Sequence, residues 1–192
     1  MNKLPADVQR ILNSQAPKVL RKDFETIAFD KFKDLKNQLL LEFNNHLITQ
    51  EIKLGPNGSN ISGTLGGQSN LFAFIGFDSS DDPIRPILDI LENIEIRFVK
   101  DIEIGSLFTV SFPEPSDIFA VTPMPWASGR SWAKGIEQGI SGLGYLIKDN
   151  TSLSRSGAAL QSSVKIRSGT YKNTSYISAI LKKYKTQFMS LK

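Results

Sequence analysis

The sequence predicts an α+β fold: a long N-terminal helix packed on a small, mostly antiparallel sheet, with a C-terminal helix closing the domain. Three observations lead there. Phe24, Ala28, Phe32, Leu35, Leu39, Phe43 and Leu47 recur at three- and four-residue steps, which places them on one helix face. Ile94, Ile96 and Phe98 alternate with Glu95 and Arg97, the period of a half-buried strand. Tyr176, Ile177, Ile180, Leu181 and Tyr184 return to helical spacing near the end of the chain. With 192 residues, 40% of them hydrophobic, the chain can build one good core and little more, so residues 1–192 are read as a single domain.

Taken in order, residues 5–14 suit a short helix that starts at Pro5 and carries Val8, Ile11 and Leu12 on one side; Pro17 is expected to end it. The main helix is expected over 20–52, with Asp23 as N-cap and Lys31, Lys33 and Lys36 off its apolar stripe. Residues 55–70 are rich in Gly, Ser and Asn and read as a flexible loop. Leu71–Phe77, LFAFIGF, is a continuous apolar run of strand length. Ile84, Ile87, Leu88 and Leu91 fit a short helix after Asp82-Pro83. The strand at 94–104 turns at Gly105-Ser106 and returns over Leu107–Phe112 as a hairpin. Pro113, Pro115, Pro123 and Pro125 mark 113–130 as an irregular, Pro-rich connection. Trp132, Ile136, Ile140, Leu143 and Leu146 have helical spacing, weakened by four glycines. A turn of helix at Ala158–Leu160 and a short strand at Val164–Ile166 precede the closing helix, whose other side carries Lys182, Lys183 and Lys185.

Few residues are available for catalysis. There is no cysteine and one histidine, His46. That removes disulfides, thiolate metal sites and a cysteine nucleophile, and leaves a zinc or copper site short of its usual ligands. Gly63-Thr64-Leu65-Gly66-Gly67 does not match the phosphate-loop pattern, and Gly139–Gly144 lacks dinucleotide-binding spacing. Asp81-Asp82 and the Glu92/Glu95 and Asp101/Glu103 pairs fall at a turn and on polar strand faces rather than converging. The expectation is a chain that is not an enzyme and carries no cofactor and no metal. The N-terminus lacks the apolar core of a signal peptide, and no stretch is long and apolar enough to span a membrane.

Charge is distributed unevenly. Residues 1–120 hold 12 Lys/Arg against 17 Asp/Glu, and residues 121–192 hold 11 against 2. After Asp149 there are eight basic residues and no acid. Such a division suits complementary faces on neighbouring subunits, contact with a polyanion, or a solvated basic surface. Trp126, Arg130 and Trp132 lie close together in PMPWASGRSWAKG. These residue types serve protein interfaces and base stacking, and tryptophan equally serves a core. The candidate interface or polyanion-facing residues are therefore Trp126, Arg130, Trp132, Arg155, Lys165, Arg167 and Lys172.

Several segments carry a resemblance. SGTLGG (62–67), NLFAFIGF (70–77), ASGRSWAKGIEQGISGLGYLI (127–147) and SRSG (154–157) resemble small structural proteins of tailed bacteriophages, most nearly the neck and tail-completion proteins. The order of a long N-terminal helix, a Gly/Thr-containing segment, a sheet and a C-terminal helix is similar to theirs. A compact Arg-Thr-Gly-type element frequent in that group is replaced here by Ser62-Gly63-Thr64 in a longer, uncharged loop. The resemblance implies a virion subunit in a ring homo-oligomer that joins head to tail, with other head, neck or tail proteins as partners and DNA passing nearby. It carries over no active-site residue. A non-specific nucleic-acid-binding protein using the basic C-terminal third is the alternative.

Overall fold

The structure, a computed structural model, describes residues 5–65, 70–102, 105–125, 127–138, 146–148, 159–161 and 174–190. The expected class is observed: a long N-terminal helix, short antiparallel strands and a C-terminal helix. Helix α1 runs Ala6–Asn45 without interruption. Pro17, expected to end a first segment, lies inside it. A proline removes one rung of the hydrogen-bond ladder, and a helix of 40 residues has many others. The N-cap is consequently Pro5 rather than Asp23. At about 1.5 Å per residue the helix is roughly 60 Å long.

The chain does break before residue 52. His46 takes an extended conformation, and its Nδ1 accepts a hydrogen bond from the Ile48 N–H, capping helix α2 (Leu47–Lys53). The break is what packing requires. Leu39 and Phe43 of α1 and Ile48 and Ile52 of α2 are all buried, and one straight helix cannot aim all four at one core.

The segment 71–77 is corrected from strand to helix. Leu71–Ile75 forms α3. The Asn70 side chain accepts from the Ala73 N–H at the start, and Gly76 ends the helix in the left-handed conformation at φ 92°. Five residues are too few for periodicity to distinguish a helix from a strand; the two caps decide. Helix α4 (Arg85–Glu92) matches expectation. Lys36 Nζ reaches across from α1 to the carbonyls of Glu92 (2.5 Å) and Ile94 (2.9 Å), a cation on a helix C-terminus.

Strands β1 (Glu95–Ile102) and β2 (Gly105–Ser111) form the expected antiparallel hairpin, with a register shift between Phe98 and Lys100. The Pro-rich stretch is more regular than its composition suggests. Pro115–Ala120 forms α5, with a capping box between Glu114 and Asp117. A proline at the first helical position costs nothing, because its missing N–H has no partner there anyway. Strands β3 (Pro123–Met124) and β4 (Ala127–Ser131) pair after it. The helix expected over 130–147 is α6, Trp132–Gln138. Residues 139–145 lie outside the described residues, and Leu146–Lys148 is strand β5, paired with β6 at Ala159–Gln161, where a helical turn was expected. The strand expected at Val164–Ile166 lies outside the described residues. Helix α7 covers Ile177–Met189. The described strands thus form three separate antiparallel pairs.

One core joins these parts. Trp132, Tyr176, Phe43, Leu39, Leu71, Ile75 and Leu91 are among its fully buried side chains. Tyr176 stacks on Phe43 at 6.1 Å, and its hydroxyl shares a buried 2.8 Å hydrogen bond with Thr49. Burial of the phenol pushes its pKa up, so the Tyr176 hydroxyl stays protonated.

Candidate interaction surface

Arg130 and Trp132 are separated by the fold. Arg130 is exposed on β4, whereas Trp132 opens α6 and is 1% exposed. Its indole meets Phe77 edge-on at 5.8 Å and lies 6.5 Å from the Tyr176 ring. Its backbone N–H donates to the Thr122 carbonyl (2.8 Å). Trp132 is therefore a core residue. Arg130 and Lys134 line a surface depression of about 380 Å³ together with Ser116, Phe119, Pro123 and Ser131. Trp126, Arg155, Lys165, Arg167 and Lys172 lie outside the described residues.

The charge division between the two parts of the chain is partly internal. Lys183 on α7 pairs with Glu42 on α1, and Lys185 pairs with Glu114 at the start of α5. Tyr184 donates to the same Glu42 carboxylate at 2.8 Å. The Lys183 hydrogen bond holds the Glu42 carboxyl below the usual range, and burial beside that carboxylate pushes the Tyr184 phenol up to about 12. The basic closing helix is thus seated against acidic groups of the first 120 residues. Lys182, on the other side, is exposed.

Two features were not anticipated from the sequence. The first is a clamp under the 55–65 loop. Glu51 is completely buried, and its two carboxylate oxygens accept from the N–H groups of Ser62 and Leu71, each at 2.7 Å. Asn70 Nδ2 donates to the carbonyls of Gly55, Pro56 and Gly58. A buried carboxylate is tolerated because charge-assisted hydrogen bonds satisfy it. The only sequence signal was an acid within an apolar helical stretch.

The second is a bare arm. Every described side chain from Pro5 to Asp23 is exposed, and the first buried one in α1 is Phe32. Val8, Ile11, Leu20, Ile27 and Phe29 all present apolar surface to solvent. At 3.6 residues per turn Val8, Ile11 and Phe29 fall on one side of the helix and Leu20 and Ile27 on the other, so they form separate small groups.

Chemistry is sparse here. Among the described residues no group of three or more His, Asp or Glu side chains could hold a metal ion, and no helix is long and apolar enough to cross a membrane. Comparison with protein-family models, with curated proteins and with solved structures finds no match. His46 acts as a helix cap. Half-buried against the Tyr176 ring at 5.0 Å, it is held below the usual imidazole pKa by burial, with the Glu42 charge and a Ser175 backbone hydrogen bond opposing.

A pH dependence follows. A lowered folded pKa means that the unfolded chain takes up the proton first. The contribution of His46 to stability is therefore complete above the reference value of 6.5 and is lost as pH falls below it toward the folded value. His46→Asn keeps an acceptor for the Ile48 N–H and removes this titration. Thermal melts should show a wild-type Tm that falls just below pH 6.5, and a flatter His46→Asn profile over the same window. Parallel profiles would remove His46 as the cause.

Proposed function

We propose that this chain is a structural subunit of a tailed-bacteriophage particle, part of the head–tail neck or tail-completion ring, and that it acts through protein–protein contacts without a catalytic step. It would be assembled in the host cytoplasm and reside in the virion. The observation that carries this reading is the exposed start of α1: every described side chain of the helix before Phe24 is exposed, Val8 and Leu20 among them. The segment resemblance points the same way. A cyclic ring uses heterologous contacts, in which one surface of each copy meets a different surface of the next. The arm supplies one such surface, and the Arg130/Lys134 depression is a chemically unlike second one.

The test is assembly. Electron microscopy and mass measurement of the purified chain, alone and mixed with head or tail partners, should show rings or partner-dependent incorporation. Val8→Asp combined with Ile11→Asp should abolish incorporation while shifting stability by no more than about 0.5 kcal/mol, as for other exposed positions. Unimpaired incorporation of that variant would remove the arm from the joining surface.

One observation favours a second reading, non-specific nucleic-acid binding: the eight basic residues and no acid after Asp149. On that reading the monomer is retained on DNA at physiological salt. Neutralising Arg155, Lys165, Arg167 and Lys172 lowers the slope of log K against log salt by about 0.9 for each lost phosphate contact.

A further inference from the structure

Asn57-Gly58 is the one Asn-Gly pair in the sequence, and the fold fixes both members. Gly55–Asn57 is a single 3-10 turn, closed by the Gly58 N–H donating to the Gly55 carbonyl at 3.2 Å. A Cβ on Gly58 would lie 2.5 Å from the Leu54 Cβ, so the close approach of the chain to Leu54 requires glycine there. Asn57 is exposed to water, and the glycine that follows it leaves the adjoining backbone nitrogen unshielded by a side chain.

This juxtaposition carries chemistry. The Gly58 nitrogen can lose its proton and attack Cγ of the Asn57 side chain. A C–N bond forms, the Asn57 amide nitrogen leaves as ammonia, and a five-membered succinimide joins the two residues. Water then opens the ring at either of its carbonyls. The product is aspartate, or isoaspartate, in which the main chain runs through the former side chain. No oxidant, metal or second protein takes part.

The folded loop opposes the first step. Ring closure requires the Gly58 nitrogen to swing out of the turn toward Cγ, which breaks its hydrogen bond to Gly55. Asn70 locks the same stretch of backbone. It is 2% exposed, and its Nδ2 donates to the carbonyls of Gly55 (3.0 Å), Pro56 (3.2 Å) and Gly58 (2.6 Å), on both sides of Asn57. Rotation at Asn57 pulls these carbonyls off a buried amide and strands it, which is costly. The reaction therefore waits on local opening of the loop.

We propose that Asn57 is a site of spontaneous deamidation and that the buried Asn70 amide is the brake on it. The change is one-way. Isoaspartate inserts an extra methylene into the main chain between the Pro56 and Gly58 carbonyls, so the two no longer converge on Asn70, and the loop is released for good.

This proposal does not depend on the ring reading. The full chain is held at mildly alkaline pH and followed by peptide mass mapping. Native wild type should accumulate product at Asn57, about tenfold more slowly than the same chain in denaturant, a factor that one or two net hydrogen bonds supply. Asn70→Ser and Asn70→Asp keep an acceptor for the Ala73 N–H, which Asn70 caps at the start of α3, and remove the amide. Each should convert about tenfold faster than native wild type, with an unchanged circular dichroism spectrum. Asn57→Gln, whose ring would need six members, should stay unmodified. Amide hydrogen exchange at wild-type Gly58 is a check that needs no variant: its protection should match the native slowing of the reaction. No product at Asn57 in the native chain overturns the site. Equal native and denatured rates, an unprotected Gly58 amide, or folded Asn70 variants that convert at the wild-type rate overturn the brake.

Discussion

Trp132→Ala is expected to cost roughly 3–5 kcal/mol, in the range for deleting a large aromatic from a core. The indole is 1% exposed and packs against rings from two separate parts of the chain. It meets Phe77, just after α3, on one side and Tyr176, at the start of α7, on the other. Its removal opens a cavity where α3, α6 and α7 converge, and Tyr176 in turn packs on Phe43 of α1. The loss is a large share of the total stability of about 5–15 kcal/mol typical of a domain. Urea denaturation followed by circular dichroism should show a large fall in midpoint, or a chain unfolded without denaturant. Trp132→Phe keeps an aromatic ring against Phe77 and should retain most of the wild-type midpoint. A Trp132→Ala midpoint close to wild type would place the indole outside the core and return it to the set of interface candidates.

The second large effect belongs to Glu51. Glu51→Ala strands the N–H groups of Ser62 and Leu71, which the carboxylate holds at 2.7 Å. An unsatisfied buried polar group costs about 1–3 kcal/mol, so the pair should cost roughly 2–6 kcal/mol. Loss of the carboxylate's own burial penalty offsets part of this. Glu51→Gln retains one acceptor and turns an amide donor toward the other N–H, so it should fall between wild type and alanine. Amide hydrogen exchange gives a readout that general destabilisation does not. At matched global stability, Ser62 and Leu71 should lose protection first. Equal loss of protection throughout would mean that the carboxylate supports the core in general rather than the loop.

The elements legible in the sequence were those with enough length for a period to register. The buried stripe of α1 at Phe32, Leu39 and Phe43, the alternation of β1 and the closing helix at Ile177, Ile180, Leu181 and Tyr184 all lie where the spacing puts them. The misreadings share a physical cause: local hydrogen bonds outweighed composition. Asn70 and Gly76 turned an apolar run into a helix. His46 broke a continuous stripe by capping the next helix. The Glu114–Asp117 capping box ordered a segment rich in proline. Each device is one or two residues long, below the reach of any periodic pattern.

The candidate surface was less legible than the fold. Arg130 lies on the surface as its residue type suggests, while Trp132, two positions along, points into the core. Charge counted along the chain also overstated the charge left without an intrachain partner. Glu42–Lys183 and Glu114–Lys185 neutralise part of it within the chain. The apolar arm was visible as Val8 and Ile11 on one side of a short helix. That it would extend past the core uncovered depends on where the rest of the chain packs, which a local pattern does not encode.

The central claim is that this chain is a joining subunit of a virion. Quantitative mass spectrometry of purified particles from a phage that encodes it tests this most directly. The account predicts a fixed, small number of copies per particle, a multiple set by ring symmetry, retained after washing at high salt. Absence of the chain from particles, while it is abundant in the infected cell, would contradict it.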